Sequence, residues 1–144
     1  MFQKQNIPLV TTGLFSSLFS DYISQSSQVK SFYNEHFSLK DFTLYMEKNK
    51  FDYLNRPALV NALNQQSNLV SNTTALSKAN ILLLEKATTY TVTTGHQLCL
   101  FTGPLYFIYK IASTINLCKV LKTNFPKKDF VPVYWMASED HDFE

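Results

Sequence analysis

The stretch "YTVTTGHQLCLFTGPLYFIYKIASTINLCKVLKTNFPKKDFVPVYWMAS", residues 90–138, decides the fold. It opens with β-branched residues and reaches Gly95, which predicts a strand followed by a tight turn. Over 105–121 apolar residues recur at helical spacing, and Pro104 stands where a helix can begin. The apolar run 129–138 predicts a second strand. Strand, helix and strand in this order predict a βαβ unit with parallel strands.

The residues around this unit define the fold class. Over residues 1–88, apolar side chains recur at intervals of three and four, which predicts helices. Residues 129–138 are almost continuously apolar, which is typical of strands that are buried on both faces of a parallel sheet. The predicted fold class is therefore α/β, with a mainly helical segment over 1–88 followed by the beginning of a parallel sheet in 89–144.

A few residues predict where helices of the first segment begin. Ser38 precedes an apolar stripe and is a candidate N-cap. Pro57 lies near the start of "NRPALVNALNQQSNLV", where its missing N–H costs little. Asn72 or Thr73 is predicted to open the next helix. His36, in "NEHF", is predicted to be a histidine on a helix surface.

Composition and charge argue against several functional classes. The chain has 144 residues, of which 45% are hydrophobic and 17% charged, as expected for one globular domain with a core. A net charge of +2 is too weak to favour nucleic acid or an anionic membrane as a partner. No apolar run is long enough to span a membrane, and the N-terminus lacks the pattern of a secretory signal.

The cysteines favour a reducing compartment. Cys99 and Cys118 form no CxxC pair. Cys118 falls on the apolar face of the predicted helix, so we expect it to be a buried free thiol. A cytoplasmic location is the prediction that follows.

The first candidate site is "TTGHQ", residues 93–97, followed by "FTGP". Ligands of open parallel sheets bind beyond the carboxyl ends of the strands. The N–H groups at the start of the following helix favour an anion such as a phosphate or a carboxylate. His96 adds a proton donor and Gln97 a directional amide. The alternative is a purely structural strand–glycine–helix turn, since neither a GxGxxG nor a GxxxxGK[ST] fingerprint is present.

The second candidate site is "SEDHD", residues 138–142, which follows the second predicted strand. Three carboxylates and an imidazole can hold a divalent cation or act as acid and base. Neighbouring residues of a strand point to opposite faces. If the strand continues, the same-side pairs are Glu139 with His141 and Asp140 with Asp142. The alternative is a solvated acidic turn without chemistry.

The chain resembles the bacillithiol biosynthesis cysteine-adding enzyme family in two runs, "TTGHQLCLFTGPLYFIYKIASTINLCKVL" and "FVPVYWMASEDHDFE". Its members carry a similar TG-[HQ]-Q-x-x-L-F-x-G-P-L-Y-x-x-x-K run and a P-V-[FY]-W-[ML]-A-x-E-D-H-D run. The resemblance implies a Rossmann-like sheet of the nucleotidyltransferase type, here incomplete, and a long antiparallel coiled coil. Family members are several times longer than this chain, so we expect a fragment or one part of a split gene, inactive by itself.

The resemblance also implies a function. The family joins L-cysteine to glucosaminyl-malate in the last step of bacillithiol biosynthesis, which makes the full-length protein a ligase, with ATP as cosubstrate by analogy with other ligases. A homodimer is implied for the full-length enzyme. Whether a metal takes part is left open.

Matching the two motifs position by position gives the predicted site residues. The predicted catalytic residues are His96, His141 and Asp140. The predicted substrate- or nucleotide-binding residues are Thr94, Gly95, Gln97, Gly103, Glu139 and Asp142.

Two other functions remain open on the sequence. One is another Rossmann-type nucleotidyltransferase or ligase, with a variant of the HxGH pattern, that activates a different acid. The other is a non-catalytic helical interaction module, whose acidic residues only keep its end in solution.

Overall fold

The structure, a computed structural model, describes residue 3 and residues 5–48 and 55–138, apart from the side chain of Thr102. The chain forms two compact units, Met1–Phe51 and Asp52–Glu144. Among the described residues, no helix is both long enough and apolar enough to cross a membrane. The division into segments 1–88 and 89–144 stays a prediction.

The first unit contains helices α1 (Ser17–Ile23) and α2 (Leu39–Lys48) and short 3-10 turns at Leu9–Thr12 and Lys30–Phe32. The predicted N-cap of α2 is confirmed. The Ser38 hydroxyl accepts a hydrogen bond from the Asp41 amide at 3.2 Å, and the Asp41 carboxylate accepts one from the Ser38 amide at 3.3 Å. This reciprocal pair satisfies donors that the helix itself leaves free.

His36 is not a helix-surface residue, so that prediction is wrong. It lies between the second 3-10 turn and α2, is 8% exposed, and packs against the rings of Tyr22, Tyr33 and Phe37. Its Nε2 lies 3.0 Å from the Tyr22 carbonyl oxygen and its Nδ1 lies 2.9 Å from Gln25 Nε2. Both ring nitrogens are therefore paired inside an aromatic cluster, which explains His36 as a structural histidine.

The second unit contains helices α3 (Arg56–Asn68), α4 (Ala75–Leu83) and α5 (Leu105–Asn124) and strands β1 (Thr89–Gln97) and β2 (Asp129–Ala137). Strands β1 and β2 pair in parallel, in a register that runs from Thr89 opposite Asp129 to Gln97 opposite Ala137. Because α5 connects them, the predicted βαβ unit is confirmed. The predicted thiol at Cys118 is buried on α5.

Two helix starts can be compared with their predictions. Pro57 is the second residue of α3, as its position near the helix start predicts. Helix α4 begins two residues later than Asn72 would give and one residue later than Thr73 would give. Thr74 is its N-cap and accepts a hydrogen bond from the Ser77 amide at 3.1 Å, so the prediction of Asn72 or Thr73 is wrong. The Thr73 hydroxyl instead donates to the Ser67 carbonyl at the end of α3.

Helices α3 and α4 build the core of this unit against one end of the sheet. Val60 of α3, Leu84 at the end of α4 and Val131 of β2 are buried together. Partly buried apolar residues surround them: Leu63, Ile81, Leu83 and Val133. The predicted burial of β2 on both faces is found only near this core. Its last residues are more exposed: Tyr134 is 38%, Trp135 57% and Met136 57% exposed, in a described sheet of two strands.

The Arg56 guanidinium, at the start of α3, forms hydrogen bonds with the end of α4 and the start of β1. Nη1 donates to the carbonyl oxygens of Leu84 and Lys86 at 2.7 and 2.9 Å, and Nη2 donates to that of Thr89 at 2.9 Å. We expect Arg56→Ala to lower the free energy of unfolding by about 2 kcal/mol, because the carbonyls lose charged donors. Urea denaturation checks this, with Lys78→Ala as an exposed control. Equal stability of the two variants would contradict it.

Asp129 opens β2 between two lysines. Lys122 Nζ lies 2.8 Å from Oδ1 and Lys86 Nζ lies 3.5 Å from Oδ2. The hydrogen bond from Lys122 and the charges of both lysines hold the pKa of Asp129 below its usual range, against the smaller opposing effect of burial. A lowered folded-state pKa stabilises the fold above the unfolded-state value, and this contribution disappears as pH falls through the folded-state pKa.

We therefore expect acid to destabilise the wild-type chain more than Asp129→Asn. Urea midpoints at neutral pH and at a pH below the ordinary aspartate value of about 3.9 measure the difference. If both proteins lose the same stability over this interval, Asp129 does not contribute to the acid sensitivity.

Candidate functional site

Gly95 lies inside β1 and does not form the predicted turn. The strand continues to Gln97, and Gly95 pairs with Trp135 of β2. A Cβ atom at Gly95 would lie 2.8 Å from the carbonyl oxygen of Trp135 and 3.0 Å from its Cβ. A glycine is therefore needed because the two strands approach closely here, and the predicted tight turn is wrong. It follows that Thr94 and His96 are positioned by a strand, two residues apart and on one face.

The chain turns after Gln97, in a connection that ends at Pro104, the N-cap of α5. Within it, Gly103 has φ +64° and ψ −163°, a conformation open only to glycine. A Cβ atom at Gly103 would lie 2.7 Å from Cys99 Cβ and 3.0 Å from Cys99 Sγ. Gly103 thus serves the site by closing the connection tightly over Cys99.

His96 lies at the centre of the polar side chains at the carboxyl end of β1. Its Nε2 lies 2.5 Å from the Tyr106 hydroxyl, and its Nδ1 lies 2.9 Å from the Gln97 carbonyl oxygen. A carbonyl only accepts, so we assign the proton to Nδ1, which leaves Nε2 to accept from Tyr106. The edge of the imidazole meets the ring of Phe107, with centroids 5.8 Å apart. The imidazole is held at both nitrogens in one orientation.

Helix α5 and strand β2 hold the end of β1 from two sides. Lys110, one helical turn after Tyr106, donates a hydrogen bond from Nζ to the Gly95 carbonyl oxygen. Tyr134 of β2 donates to the His96 carbonyl oxygen at 3.3 Å. Loss of hydration, and to a smaller extent the charge of Cys99, raises the pKa of the Tyr134 phenol. The phenol thus remains a hydrogen-bond donor at neutral pH.

An open groove of about 460 Å³ runs between β1 and α5 beside this cluster. Hydroxyl groups dominate its polar lining, and its wall includes Thr94, a predicted binding residue. The first turn of α5 carries no acidic side chain, and Pro104 supplies no side-chain acceptor. No acidic side chain of the first turn therefore neutralises the positive end of the α5 dipole. A helix start that binds an anion needs this positive end to be free.

The second candidate site lies outside the described residues. Strand β2 ends at Ala137, opposite Gln97, and Ser138 is the last residue of the chain that the structure describes. The predicted residues Glu139, Asp140, His141 and Asp142 all follow it. Within residues 5–48 and 55–138, no three His, Cys, Asp or Glu side chains are grouped closely enough to hold a metal ion.

The family described as "Bacillithiol biosynthesis BshC, N-terminal Rossmann-like domain" matches residues 2–144. The chain belongs to the BshC family. This confirms both the predicted family and the predicted Rossmann-like class, of which the described βαβ unit is a part.

Relatives named "Putative cysteine ligase BshC" align with most of the chain. The Flavobacterium johnsoniae protein is 52% identical over 136 residues, which cover 93% of this chain and 26% of that protein. The Flavobacterium psychrophilum protein is 50% identical over 136 residues, covering 92% and 25% respectively. The Cytophaga hutchinsonii protein is 40% identical over 141 residues, covering 98% and 27%. The chain thus spans about a quarter of the length of these BshC proteins.

The structure brings together some predicted residues and adds others. The end of β1 carries four of the predicted residues in succession: Thr94, Gly95, His96 and Gln97. Gly103 lies against the Cys99 side chain, and the Cys99 thiol in turn contacts His96. The added contacts of His96 and its strand are made by Tyr106, Lys110 and Tyr134. A sequence signal could have identified Tyr106 and Lys110. They are four residues apart in the first turns of the helix after β1, so they lie on the same face of that helix.

Proposed function

We propose that this chain supplies the N-terminal Rossmann-like part of a ligase that joins L-cysteine to glucosaminyl-malate, the last step of bacillithiol biosynthesis. The match of residues 2–144 to the N-terminal BshC domain is the observation that carries the proposal. The names of relatives that are 50–52% identical support the ligase class. The position of His96, Tyr106 and the start of α5 at the carboxyl end of β1 agrees with where parallel sheets bind ligands.

The first part of the proposed mechanism is anion binding. Joining a carboxylate to an amine requires activation of the carboxylate, and we propose ATP for this step. The N–H groups at the start of α5 would bind a phosphate of ATP or the malate carboxylate, and Gly103 lets the backbone come close. Thr94 and Gln97 would contribute polar contacts from β1.

The second part is proton transfer. As the acceptor amine attacks the activated cysteine carboxyl group, it must lose a proton. His96 can take that proton at Nε2 when the amine displaces the Tyr106 hydroxyl from this nitrogen, because Nδ1–H stays bonded to the Gln97 carbonyl. We propose that His141 and Asp140 share this acid–base work and that Glu139 and Asp142 bind substrate or nucleotide, since β2 ends opposite Gln97.

The proposal extends to the setting of the reaction. We propose a cytoplasmic, homodimeric full-length enzyme and no activity for residues 1–144 alone. The described sheet has two strands, and catalysis requires groups held to within a fraction of an ångström.

Substrate dependence in the full-length protein tests the proposed function. We expect a product of the mass of bacillithiol only when ATP, L-cysteine and glucosaminyl-malate are all present. Product formation without ATP would remove ATP from the scheme. ATP–pyrophosphate exchange that needs another carboxylic acid and ignores cysteine would favour a different nucleotidyltransferase-type ligase.

A further inference from the structure

Lys110 is a charged residue of the candidate site to which the proposed mechanism gives no task. It lines the groove of about 460 Å³ between β1 and α5, together with Thr94 and Tyr106. Among the described residues of the groove wall, Lys110 is the only one with a charged side chain, and the others carry hydroxyl or apolar groups. A ligand in this groove therefore meets one positive charge and no carboxylate from these residues.

The ammonium group of Lys110 has hydrogen-bond donors left for a ligand. Its Nζ donates to the Gly95 carbonyl oxygen, which uses one of three N–H donors and does not cancel the charge. In the described part of the chain, the carboxylates that pair with lysines belong to Glu35 and Asp129, and neither pairs with Lys110. A carboxylate or phosphate of a ligand would supply the missing negative charge through a charge-assisted hydrogen bond.

Lys110 lies beside the imidazole that the mechanism uses as a base. Tyr106 and Lys110 are one turn apart on the same face of α5, with about 5–6 Å between their Cβ atoms. The Tyr106 hydroxyl lies 2.5 Å from His96 Nε2, and Lys110 bonds to the carbonyl of Gly95, the residue directly before His96. A ligand with its anionic group at Lys110 can therefore present a second group to Nε2 in place of the Tyr106 hydroxyl.

This end of the groove stays compatible with ligand binding in a larger sheet. Additional strands join a sheet at its edges, because the unpaired backbone groups lie there. They leave the carboxyl ends of the strands facing the crevice in which parallel sheets bind ligands. Thr94, Tyr106 and Lys110 lie at the carboxyl end of β1 and in the first turns of α5, so they belong to this crevice.

We propose that Lys110 is a specificity-determining residue that binds a carboxylate of the malyl group of the acceptor. The inference rests on the proposed function, which names glucosaminyl-malate as that acceptor. Its amine and its malyl group are attached to neighbouring carbons of the sugar, and the malyl group has two carboxylates. A carboxylate bound to Lys110 therefore brings the amine of the same molecule to His96 Nε2. This adjacency favours a malyl carboxylate over a phosphate of ATP.

The first experiment compares two acceptors in the full-length enzyme. Methyl glucosaminide has the amine of glucosaminyl-malate but no carboxylate. We expect Lys110→Gln to lower kcat/KM for glucosaminyl-malate by about 10- to 100-fold, the effect of one lost charged hydrogen bond, and that for methyl glucosaminide by less than about threefold. The loss should lie mainly in KM for glucosaminyl-malate, and Lys110→Arg, which keeps the charge, should retain most of the preference.

Lys119→Gln is the matched control, since it removes the same charge from an exposed position of α5 outside the groove wall. We expect it to change neither ratio. An equal loss of kcat/KM on both acceptors in Lys110→Gln would overturn the proposal, because it would mean that the bond to Gly95 has only a structural role. A raised KM for ATP or for cysteine in place of glucosaminyl-malate would overturn it as well.

The second experiment measures binding without turnover. Calorimetric titration of the full-length protein with L-malate is expected to show at least about tenfold weaker binding to Lys110→Gln than to the wild type and to Lys119→Gln. If the wild type forms no product but binds L-malate through Lys110, the proposed function fails and the carboxylate site stands. If L-malate does not bind to the wild type, or binds equally to Lys110→Gln, the inference is wrong whatever the ligase activity.

Discussion

Replacing His96 with alanine in the full-length enzyme is expected to lower the rate of cysteine addition by about 100-fold or more, the usual contribution of one acid–base group. His96 is the described histidine at the carboxyl end of β1, and both of its ring nitrogens have partners that fix its orientation. The loss should appear in the ratio of bacillithiol to its cysteine-free precursor, in cells and with purified protein.

Variants that keep part of the imidazole separate proton transfer from positioning. His96→Asn keeps an N–H group near the position of Nδ1, for the bond to the Gln97 carbonyl, but has no base at the position of Nε2. We expect it to be nearly as inactive as His96→Ala. Tyr106→Phe leaves the base in place and removes only its partner, so a smaller loss of about tenfold is expected.

Thermal unfolding is the control for these variants. Since His96 and Tyr106 are not among the buried core residues, their melting temperatures should stay close to that of the wild type. His141→Ala extends the test to the second predicted site. Unchanged product from both histidine variants would remove His96 and His141 from the mechanism.

The βαβ unit could be predicted because its signals are local. The helical period of α5, the β-branched residues of β1 and the apolar run of β2 each specify their element within a few residues of sequence. The Ser38 cap was predictable for the same reason, since its partner Asp41 is three residues away. The predicted strand ended at Gly95 with His96 in the turn after it, whereas the structure has His96 inside β1, which continues to Gln97.

The errors concern residues whose environment is set by distant parts of the chain. The backbone that requires a glycine at Gly95 is Trp135, forty positions later, so the sequence indicated a turn where the structure has a strand. His36 is buried because Tyr22 and Gln25, from the preceding helix and its end, close around it. Periodicity carries no information on either contact, because both depend on how separate elements pack.

Replacement of Gly103 by alanine is expected to lower the free energy of unfolding by about 3 kcal/mol. Two effects add. The backbone at φ +64° and ψ −163° is strained for any residue with a Cβ atom, and that atom would lie 2.7 Å from Cys99 Cβ. Urea denaturation followed by the fluorescence of Trp135, the single tryptophan of the chain, measures the loss.

Gly13 provides a control with a milder backbone effect and no contact. It also has a positive φ, +65°, but a Cβ atom there would have nothing within 4 Å. We expect Gly13→Ala to cost only about 1 kcal/mol, the penalty of the left-handed conformation alone. Its unit lacks the tryptophan, so circular dichroism is the suitable probe. If Gly13→Ala and Gly103→Ala lowered the free energy of unfolding equally, neither the rarer backbone conformation of Gly103 nor its contact with Cys99 would add to the loss.

The contribution of Cys99 can then be isolated in a double-mutant cycle. Cys99→Gly removes both Cβ and Sγ, the two atoms nearest to the new methyl group, and leaves the backbone strain at Gly103 in place. In that background, Gly103→Ala is expected to cost only about 1–2 kcal/mol. An undiminished cost would show that backbone strain alone requires this glycine. A reduced cost would show that Gly103 is needed to hold the Cys99 side chain where it meets His96.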